Sequence, residues 1–143
     1  MLASFRSFEE INAWKEAREL VSLIYKYSKH ENFKNDFGFK DQITRASISI
    51  MNNIAEGFER QNKKEFIRFL LIAKGSAGEI RSMLYLTLDL NYISPKDYNL
   101  ANNLVVSIIK KLSSLINYLQ NQIGISSVRE EQEEYNTFKT LNP

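Results

Sequence analysis

The residue types that most often carry catalysis are scarce in this chain. It contains no cysteine and one histidine, His30, so thiolate chemistry is excluded and no histidine pair is available for a metal. Carboxylate-bridged di-metal bundles need Glu-x-x-His pairs on facing helices, and no such pair occurs. A Ser-His-Asp triad would depend on His30 alone, and Gly75 and Gly78 lack the strand context of a phosphate-binding loop. We therefore predict a non-enzymatic protein without a cofactor or metal.

Basic residues in the middle of the chain have a spacing that could follow a phosphodiester backbone. On a helix, at about 100° per residue, Lys63, Lys74 and Arg81 fall within about 20° of one another. Arg60 and Lys64 lie beside the start of that helix. These five residues are the candidate nucleic-acid contacts. The alternative is that the cations only keep an apolar helix soluble.

Polar residues upstream of the basic group fall within about 80° of arc on a helix. The set comprises Gln42, Arg45, Ser49, Asn53 and Glu56. Spacing alone favours a solvated face. The alternative is that Asn53 and Glu56 form hydrogen bonds across a helix interface, with Ser76 and Glu79 as candidate partners, because buried polar groups require partners.

A run of small residues, Gly75, Ser76, Ala77 and Gly78, lies inside a predicted helix. Two glycines in a helix interior cost about 1 kcal/mol each relative to alanine. We expect the close approach of another helix to offset that cost.

Length and composition favour one helical domain. The chain has 143 residues, with five glycines and two prolines, so tight turns are few, and sandwiches, barrels and βαβ units are disfavoured. It has neither a membrane-length apolar stretch nor the apolar region of a signal peptide. We expect a cytoplasmic protein with no membrane partner. Residues 1–124 carry a net charge of +4 and residues 125–143 carry −2, and the positive charge would gain influence if a symmetric oligomer repeated it.

Apolar periodicity predicts four long helices. Their approximate bounds are Phe8 to Lys29, Phe39 to Glu59, Lys63 to Leu90 and Pro95 to Ile123. The start and end signals are a capping box at Ser7 and Glu10, an N-cap at Asn62 followed by Glu65, an N-cap at Ser94 before Pro95, and a left-handed C′ residue at Gly124. The segment from His30 to Phe37 is predicted as a loop, and the acidic residues 125–143 as a mobile or loosely helical tail.

The second and third predicted helices are apolar on more than one side. The apolar arc of the second spans about 200°, and the third is apolar nearly all round. An isolated four-helix bundle cannot bury every face of one of its helices. We therefore predict an all-α, antiparallel up-down four-helix bundle over residues 1–124 that self-associates through these two helices.

Two segments carry linked motifs, FGFKDQITRASISIMNNIAEG (Phe37–Gly57) and EFIRFLLIAKGSAGEIRSML (Glu65–Leu84). The motif positions are Gln42, Arg45, Ser49, Asn53, Glu56, Gly57, Phe66, Phe69, Gly75, Ser76 and Glu79. Together with the opening FEEINAWKEARELVSLIY, they resemble the small bacterial four-helix-bundle proteins encoded in intervening sequences of large-subunit ribosomal RNA genes. The accessory protein of diversity-generating retroelements is a relative. Met51 stands where the family often has proline, and the acidic tail lies outside the family pattern.

The resemblance implies an up-down four-helix bundle that assembles as a ring, characteristically a homopentamer, without enzymatic activity. For the retroelement relative it also implies RNA or DNA binding and docking to a reverse transcriptase. We therefore expect a homo-oligomer that binds RNA or another nucleic acid through its basic residues, with the motif positions in structural or interface roles. The alternative is an accessory or scaffold module that binds a protein partner and no nucleic acid.

Overall fold

The computed structural model describes residues 5–141, apart from the side chain of residue 127; residues 1–4 and 142–143 of the predicted domain and tail lie outside it. A 3-10 turn at Phe8–Glu10 precedes five helices. They are α1 (Asn12–Tyr27), α2 (Glu31–Asn35), α3 (Phe37–Glu59), α4 (Lys63–Asp89) and α5 (Pro95–Leu141). No strand occurs in the described part of the chain, and the predicted all-helical class is confirmed. No helix of residues 5–141 is long and apolar enough to cross a membrane.

The four long helices pack around one apolar core. Helix α1 contacts α3 and α5, and α4 contacts α3 and α5, so α3 is covered from two sides, as its wide apolar arc predicts. Fully buried side chains include Leu20 and Ile24 of α1, Ile43, Ile50 and Ile54 of α3, Phe66, Leu70 and Ile80 of α4, and Ile108 and Leu112 of α5. Burying a side chain of this size stabilises the fold by about 1.5–3 kcal/mol, so tertiary packing stabilises these helices more than propensity does.

Two helix starts lie where the sequence predicts them. The Asn62 side-chain oxygen accepts a hydrogen bond from the backbone N–H of Glu65 at 3.0 Å. The Ser94 hydroxyl accepts one from the backbone N–H of Asp97 at 3.1 Å. Each bond satisfies a backbone donor that the first helical turn leaves unpaired, and α4 and α5 begin at the residues that follow these caps.

The predicted start of the first helix is wrong. Ser7 makes no side-chain capping bond, and the Glu10 carboxylate accepts from the backbone N–H of Arg6 at 2.9 Å. Ile11 has an extended backbone with ψ 118°, so α1 begins at Asn12. Because Ile11 is 2% exposed, burial of its side chain outweighs the capping box, and the helix begins after it.

The segment predicted as a loop contains the short helix α2. Its residue Phe33 is buried, with ring centroids 5.5 Å from Phe39 and 5.2 Å from Tyr92. Asp36 caps α3 by accepting from the backbone N–H of Phe39 at 3.3 Å, and its other oxygen accepts from the Tyr92 hydroxyl at 2.6 Å. Helix α3 consequently begins at Phe37, two residues before the predicted start.

The predicted end of the fourth helix is also wrong. Helix α5 continues through Gly124 to Leu141, and no described glycine has positive φ. Core burial on α5 ends at Leu119, and the described side chains after Gly124 are exposed. The predicted tail is therefore a regular helix that extends past the core.

Candidate nucleic-acid interface

Three of the five predicted basic contacts lie along one side of α4. Lys63 is its first residue, and at 1.5 Å per residue Lys74 and Arg81 follow at about 16 and 27 Å along the axis. Lys63 and Lys74 are half-buried, and Arg81 is exposed. Within the described residues, no ion pair joins any of the three to a carboxylate. Their charges therefore remain available to an anionic ligand.

The other two basic residues lie apart from this line. The guanidinium of Arg60 pairs with the Glu56 carboxylate at 3.0 Å and lies over the Phe69 ring at 5.2 Å, where α3 meets α4. Lys64 is exposed, and its position one residue after Lys63 turns it about 100° toward the outward side of α4. We therefore restrict the candidate interface, the α4 basic line, to Lys63, Lys74 and Arg81.

The α4 basic line borders α5. The rings of Tyr85 on α4 and Tyr98 on α5 lie 6.0 Å apart. Burial raises the pKa of Tyr98, with a further contribution from Tyr85, while the positive charge of Arg81 acts in the opposite direction. In helical projection Lys74 and Arg81 lie within about 40° of Tyr85, so a ligand on this line would lie at the boundary of α4 and α5.

Polar motif residues join α3 to α4 on the other side. The hydroxyls of Ser49 and Ser76 lie 2.9 Å apart, and the side-chain amide of Asn53 donates to the Ser49 carbonyl at 2.8 Å and hydroxyl at 3.0 Å. Nearer the start of α3, Gln42 donates to the Glu79 carboxylate at 3.0 Å. Early α3 residues therefore meet late α4 residues, and the two helices run antiparallel. Ser76 and Glu79 are interface partners as predicted, but of Ser49 and Gln42. Asn53 bonds to Ser49 within α3, so the hypothesis that Asn53 bonds across the helix interface is wrong.

The rest of the polar motif faces solvent. Glu56 pairs with Arg60, and Arg45 pairs with Asp41 at 3.0 Å, both within or just after α3 and both exposed. The hypothesis that Glu56 bonds across the helix interface is wrong, because its side chain is 55% exposed and turned to its own helix. For Arg45 and Glu56, the solvated-face interpretation holds.

Among the described glycines, the one that another helix approaches closely is Gly57, outside the predicted run of small residues. A Cβ added at Gly57 would lie 2.6 Å from the Cβ of Phe69 and 3.1 Å from the ring of Phe66. A Cβ at Gly75 or Gly78 would meet nothing within 4 Å. No helix of the described chain therefore approaches Gly75 and Gly78, and the close approach expected there stays a prediction for a helix of a second copy.

Gly75 and Gly78 belong instead to an exposed strip along the outward side of α4. The α4 strip, as we call it, consists of Leu71, Gly75, Gly78, Ser82 and Leu86, spaced by three or four residues. Leu71 is 50% exposed and Leu86 46%, and Ile72, Tyr85 and Leu90 beside them are also exposed. Contiguous exposed apolar residues typically mark interaction surfaces.

A polar cluster between α1 and α5 was not predicted from the sequence. The Glu16 carboxylate accepts from the Ser107 hydroxyl at 2.9 and 3.0 Å and forms an ion pair with Lys111. Ser107 and Lys111 are one helical turn apart, a spacing visible in the sequence, but nothing in the pattern connects them to Glu16. The cluster joins α1 to α5. In the described chain, no group of three or more metal-binding side chains comes together.

These observations define an all-helical protein whose four long helices share one core and whose helix α4 carries a basic line and an exposed strip. Residues 9–114 match the 23S rRNA-intervening sequence protein family. The chain belongs to that family, and the resemblance noted from the motifs is confirmed.

A solved relative supports this membership. The chain is similar to the crystal structure of a protein with unknown function from the S23 ribosomal protein family of Bacteroides thetaiotaomicron, with 31% sequence identity and a TM-score of 0.67. The similarity covers 73% of this chain and 95% of that chain. No curated protein matches the chain. The part of α5 that extends past the core lies beyond the residues matched by the family.

Proposed function

We propose that this protein is a non-enzymatic, cytoplasmic homo-oligomer of up-down four-helix bundles that binds RNA or DNA through the α4 basic line. The observation that carries the proposal is the alignment of Lys63, Lys74 and Arg81 along one side of α4 without carboxylate partners among the described residues. Three aligned cations can each neutralise a phosphate and release its counterions.

The packing of the helices supports the up-down topology. Helices that are neighbours along the chain also pack together from α3 to α5, and α5 closes the arrangement against α1. Only short connections separate α3 from α4 and α4 from α5, and short connections favour antiparallel neighbours.

The exposed α4 strip supports self-association. The resemblance suggests a ring of five copies, in which each copy would present the same basic line, so several weak phosphate contacts would act together. Light scattering at micromolar concentration should give a mass about five times the 16.7 kDa of one chain. A mass of one chain would contradict the proposed self-association.

Nucleic-acid binding is tested by fluorescence-anisotropy titrations with a structured RNA and a DNA duplex between about 50 and 200 mM salt. Affinity should fall steeply with salt and depend little on sequence. Changing Lys63, Lys74 and Arg81 together to Gln should lower affinity and reduce the slope of log affinity against log salt by about two to three, because each lost phosphate contact removes somewhat less than one.

The matched control changes three exposed lysines elsewhere on the protein to Gln. Lys26, Lys29 and Lys96 are exposed and lie outside α4, and their replacement changes net charge by the same amount. The control should retain most of the affinity. Equal losses in the two triple variants would attribute binding to net charge and overturn the assignment to the α4 basic line.

The exposed α4 strip also favours a second candidate function, a module that docks a protein partner. If the intact oligomer binds neither RNA nor DNA at low salt, this accessory or scaffold role becomes the better account, since apolar strips of this kind bind protein surfaces.

A further inference from the structure

Tyr85 extends the α4 basic line by one helical turn. In helical projection it lies within about 40° of all three cations of the line, and it follows Arg81 by four residues, about 6 Å along the axis. The other two aromatic side chains of α4, Phe66 and Phe69, are buried, whereas Tyr85 is 55% exposed. An exposed aromatic ring therefore lies at the end of a row of cations.

The ring of Tyr85 is held on one side by α5. Its centroid lies 6.0 Å from that of the Tyr98 ring, and the two ring planes are tilted by 47°. Tyr98 is half-buried, so the ring that Tyr85 contacts is itself packed into the bundle. A side chain that is already oriented loses little conformational freedom when a flat ligand covers its exposed face.

A row of cations beside an exposed aromatic ring is typical of surfaces that bind single-stranded nucleic acids. On such surfaces the cations contact the phosphates and the bases stack on the rings, with little dependence on sequence because every base has a flat face. In a duplex, neighbouring base pairs cover those faces, so a ring on the surface of a helix cannot stack on them. An unpaired strand is therefore the ligand that can use both Tyr85 and the cations.

The alternative is that Tyr85 belongs to the surface through which copies self-associate. In helical projection, however, Tyr85 lies about 60° from the middle of the α4 strip and only about 30° from the middle of the α4 basic line. It also contacts α5 through Tyr98, at the boundary where the basic line lies. A second copy packed on the α4 strip is thus compatible with a ligand on the Tyr85 ring.

We propose that the α4 basic line binds an unpaired strand of RNA or DNA, with one base stacked on Tyr85 and the phosphates following the line from Arg81 toward Lys63. The inference rests on the nucleic-acid binding proposed above and names the class of nucleic acid that the site takes. The stacked base contributes affinity that does not depend on salt, because stacking releases no counterions, whereas each phosphate contact does.

Fluorescence-anisotropy titrations of the full-length protein test this assignment. The probes are a labelled single strand without self-complementary stretches, made as RNA and as DNA, and the duplex of each with its complement. Tyr85→Leu should lower the affinity for the single strand about tenfold, the contribution expected of one stacked base. The same change should alter the affinity for the duplex little, so the ratio of the two affinities should also fall about tenfold.

Two variants serve as matched controls. Tyr85→Phe keeps the ring and should retain the affinity for the single strand. Tyr25→Leu removes a tyrosine of α1 that is 44% exposed and should leave the ratio of single-strand to duplex affinity unchanged. A loss in either control as large as that in Tyr85→Leu would overturn the proposal.

The salt dependence separates stacking from phosphate contact. Tyr85→Leu should lower the affinity for the single strand by the same factor at every salt concentration, whereas the triple change of the α4 basic line to Gln should flatten the slope. A flatter slope in Tyr85→Leu would mean that the ring acts by supporting phosphate contacts, and it would overturn the stacking.

Light scattering on Tyr85→Leu separates stacking from self-association. The variant should have the same mass as the native protein, and a smaller mass would place Tyr85 in the contact between copies and overturn the proposal.

The native protein separates this inference from the proposed function. If it binds neither single strands nor duplexes, both fail. If it binds them and Tyr85→Leu retains the affinity for the single strand, this inference alone fails and binding by the α4 basic line stands.

Discussion

Gly57 lies where α4 packs closely against α3, and its substitution should be costly. A Cβ there would lie 2.6 Å from the Cβ of Phe69, an atom fixed to the α4 backbone that cannot rotate away. The clash can be relieved only if α3 and α4 move apart. Overpacking of this kind typically costs about 1–3 kcal/mol of stability. Gly57→Ala should therefore lower the free energy of unfolding by that amount in chemical denaturation.

Gly75→Ala and Gly78→Ala are the matched controls for Gly57→Ala. Both positions are exposed within α4, and a Cβ would meet no atom of the chain within 4 Å. Alanine is preferred to glycine in an exposed helix by up to about 1 kcal/mol, so each change should stabilise the protein at concentrations too low for self-association. Destabilisation at all three glycines would contradict the assignment of the close approach to Gly57.

Tyr27 should make stability depend on pH in alkaline solution. Its buried hydroxyl donates to the Asp97 carbonyl at 3.2 Å, and burial, with a contribution from the Asp97 carboxylate, raises the pKa of Tyr27 to about 12. The unfolded value is about 10, so the folded state favours the neutral phenol. The stabilisation is present below about pH 10 and is lost as pH rises toward 12.

The measurement is the difference in unfolding free energy between the native protein and Tyr27→Phe across that range. Since phenylalanine does not titrate, the difference in unfolding free energy should shrink from about pH 10 to 12. The titration of lysines affects both proteins equally and cancels in the difference. A difference that stays constant would show that the pKa of Tyr27 is not raised.

The burial and bonding of the polar residues on α3 show how much helical spacing can predict for individual residues. Asn53 and Glu56 lie within one narrow arc, and the pattern left a solvated face and an interface both open. The structure divides them: Asn53 is half-buried and bonded to Ser49, whereas Glu56 pairs with Arg60 in solvent. The division depends on where α4 crosses α3, which no pattern within one helix contains.

At the scale of helix pairs, the hydroxyl contact between Ser49 and Ser76 should hold α3 and α4 in register. The oxygens are 2.9 Å apart and partly buried, so removing one leaves the other with fewer partners. Ser49→Ala and Ser76→Ala should each cost about 0.5–1.5 kcal/mol. In a double-mutant cycle, the coupling should reach about 0.5–1 kcal/mol.

Gln42 and Glu79 provide the comparison for that cycle. They join the same two helices at 3.0 Å but are exposed, so water replaces either partner easily. Their coupling energy should be close to zero. A Ser49–Ser76 coupling no larger than that of Gln42–Glu79 would mean that the hydroxyl contact does not set the register.

Helix ends were predictable where a local hydrogen bond decides them. Asn62 and Ser94 cap their helices through hydrogen bonds to the residue three positions later, and such short-range bonds can be predicted from a local pattern. Ser7 fails because the burial of Ile11 shapes the backbone after it, and that burial depends on helices distant in sequence. Gly124 permits a left-handed turn without imposing one, so a glycine alone did not predict the end of α5.

For the whole molecule, the net charge of each segment was readable from the sequence, but the spatial arrangement of the charged side chains was not. The basic and acidic segments were evident from composition, and the line of Lys63, Lys74 and Arg81 followed from helical spacing. The pair between Arg60 and Glu56 has the i,i+4 spacing of a helical ion pair and was readable from the sequence. The position of Arg60 over the Phe69 ring and the continuation of the acidic segment as part of α5 were not.

Removal of residues 125–143 should tighten nucleic-acid binding. This segment carries a net charge of −2, which opposes the approach of a polyanion to the protein. Truncation after Gly124 should leave the fold intact, because core burial on α5 ends at Leu119.

At about 50 mM salt, the truncated protein should bind structured RNA several-fold more tightly than the full chain, and the advantage should shrink as salt screens the charges. Full-length protein with Glu130, Glu131, Glu133 and Glu134 changed to Gln is the matched control. It removes the acidic charge while keeping the helix, and it should recover most of the gain. Unchanged or weaker binding after truncation would show that the negative charge of residues 125–143 does not oppose nucleic-acid binding.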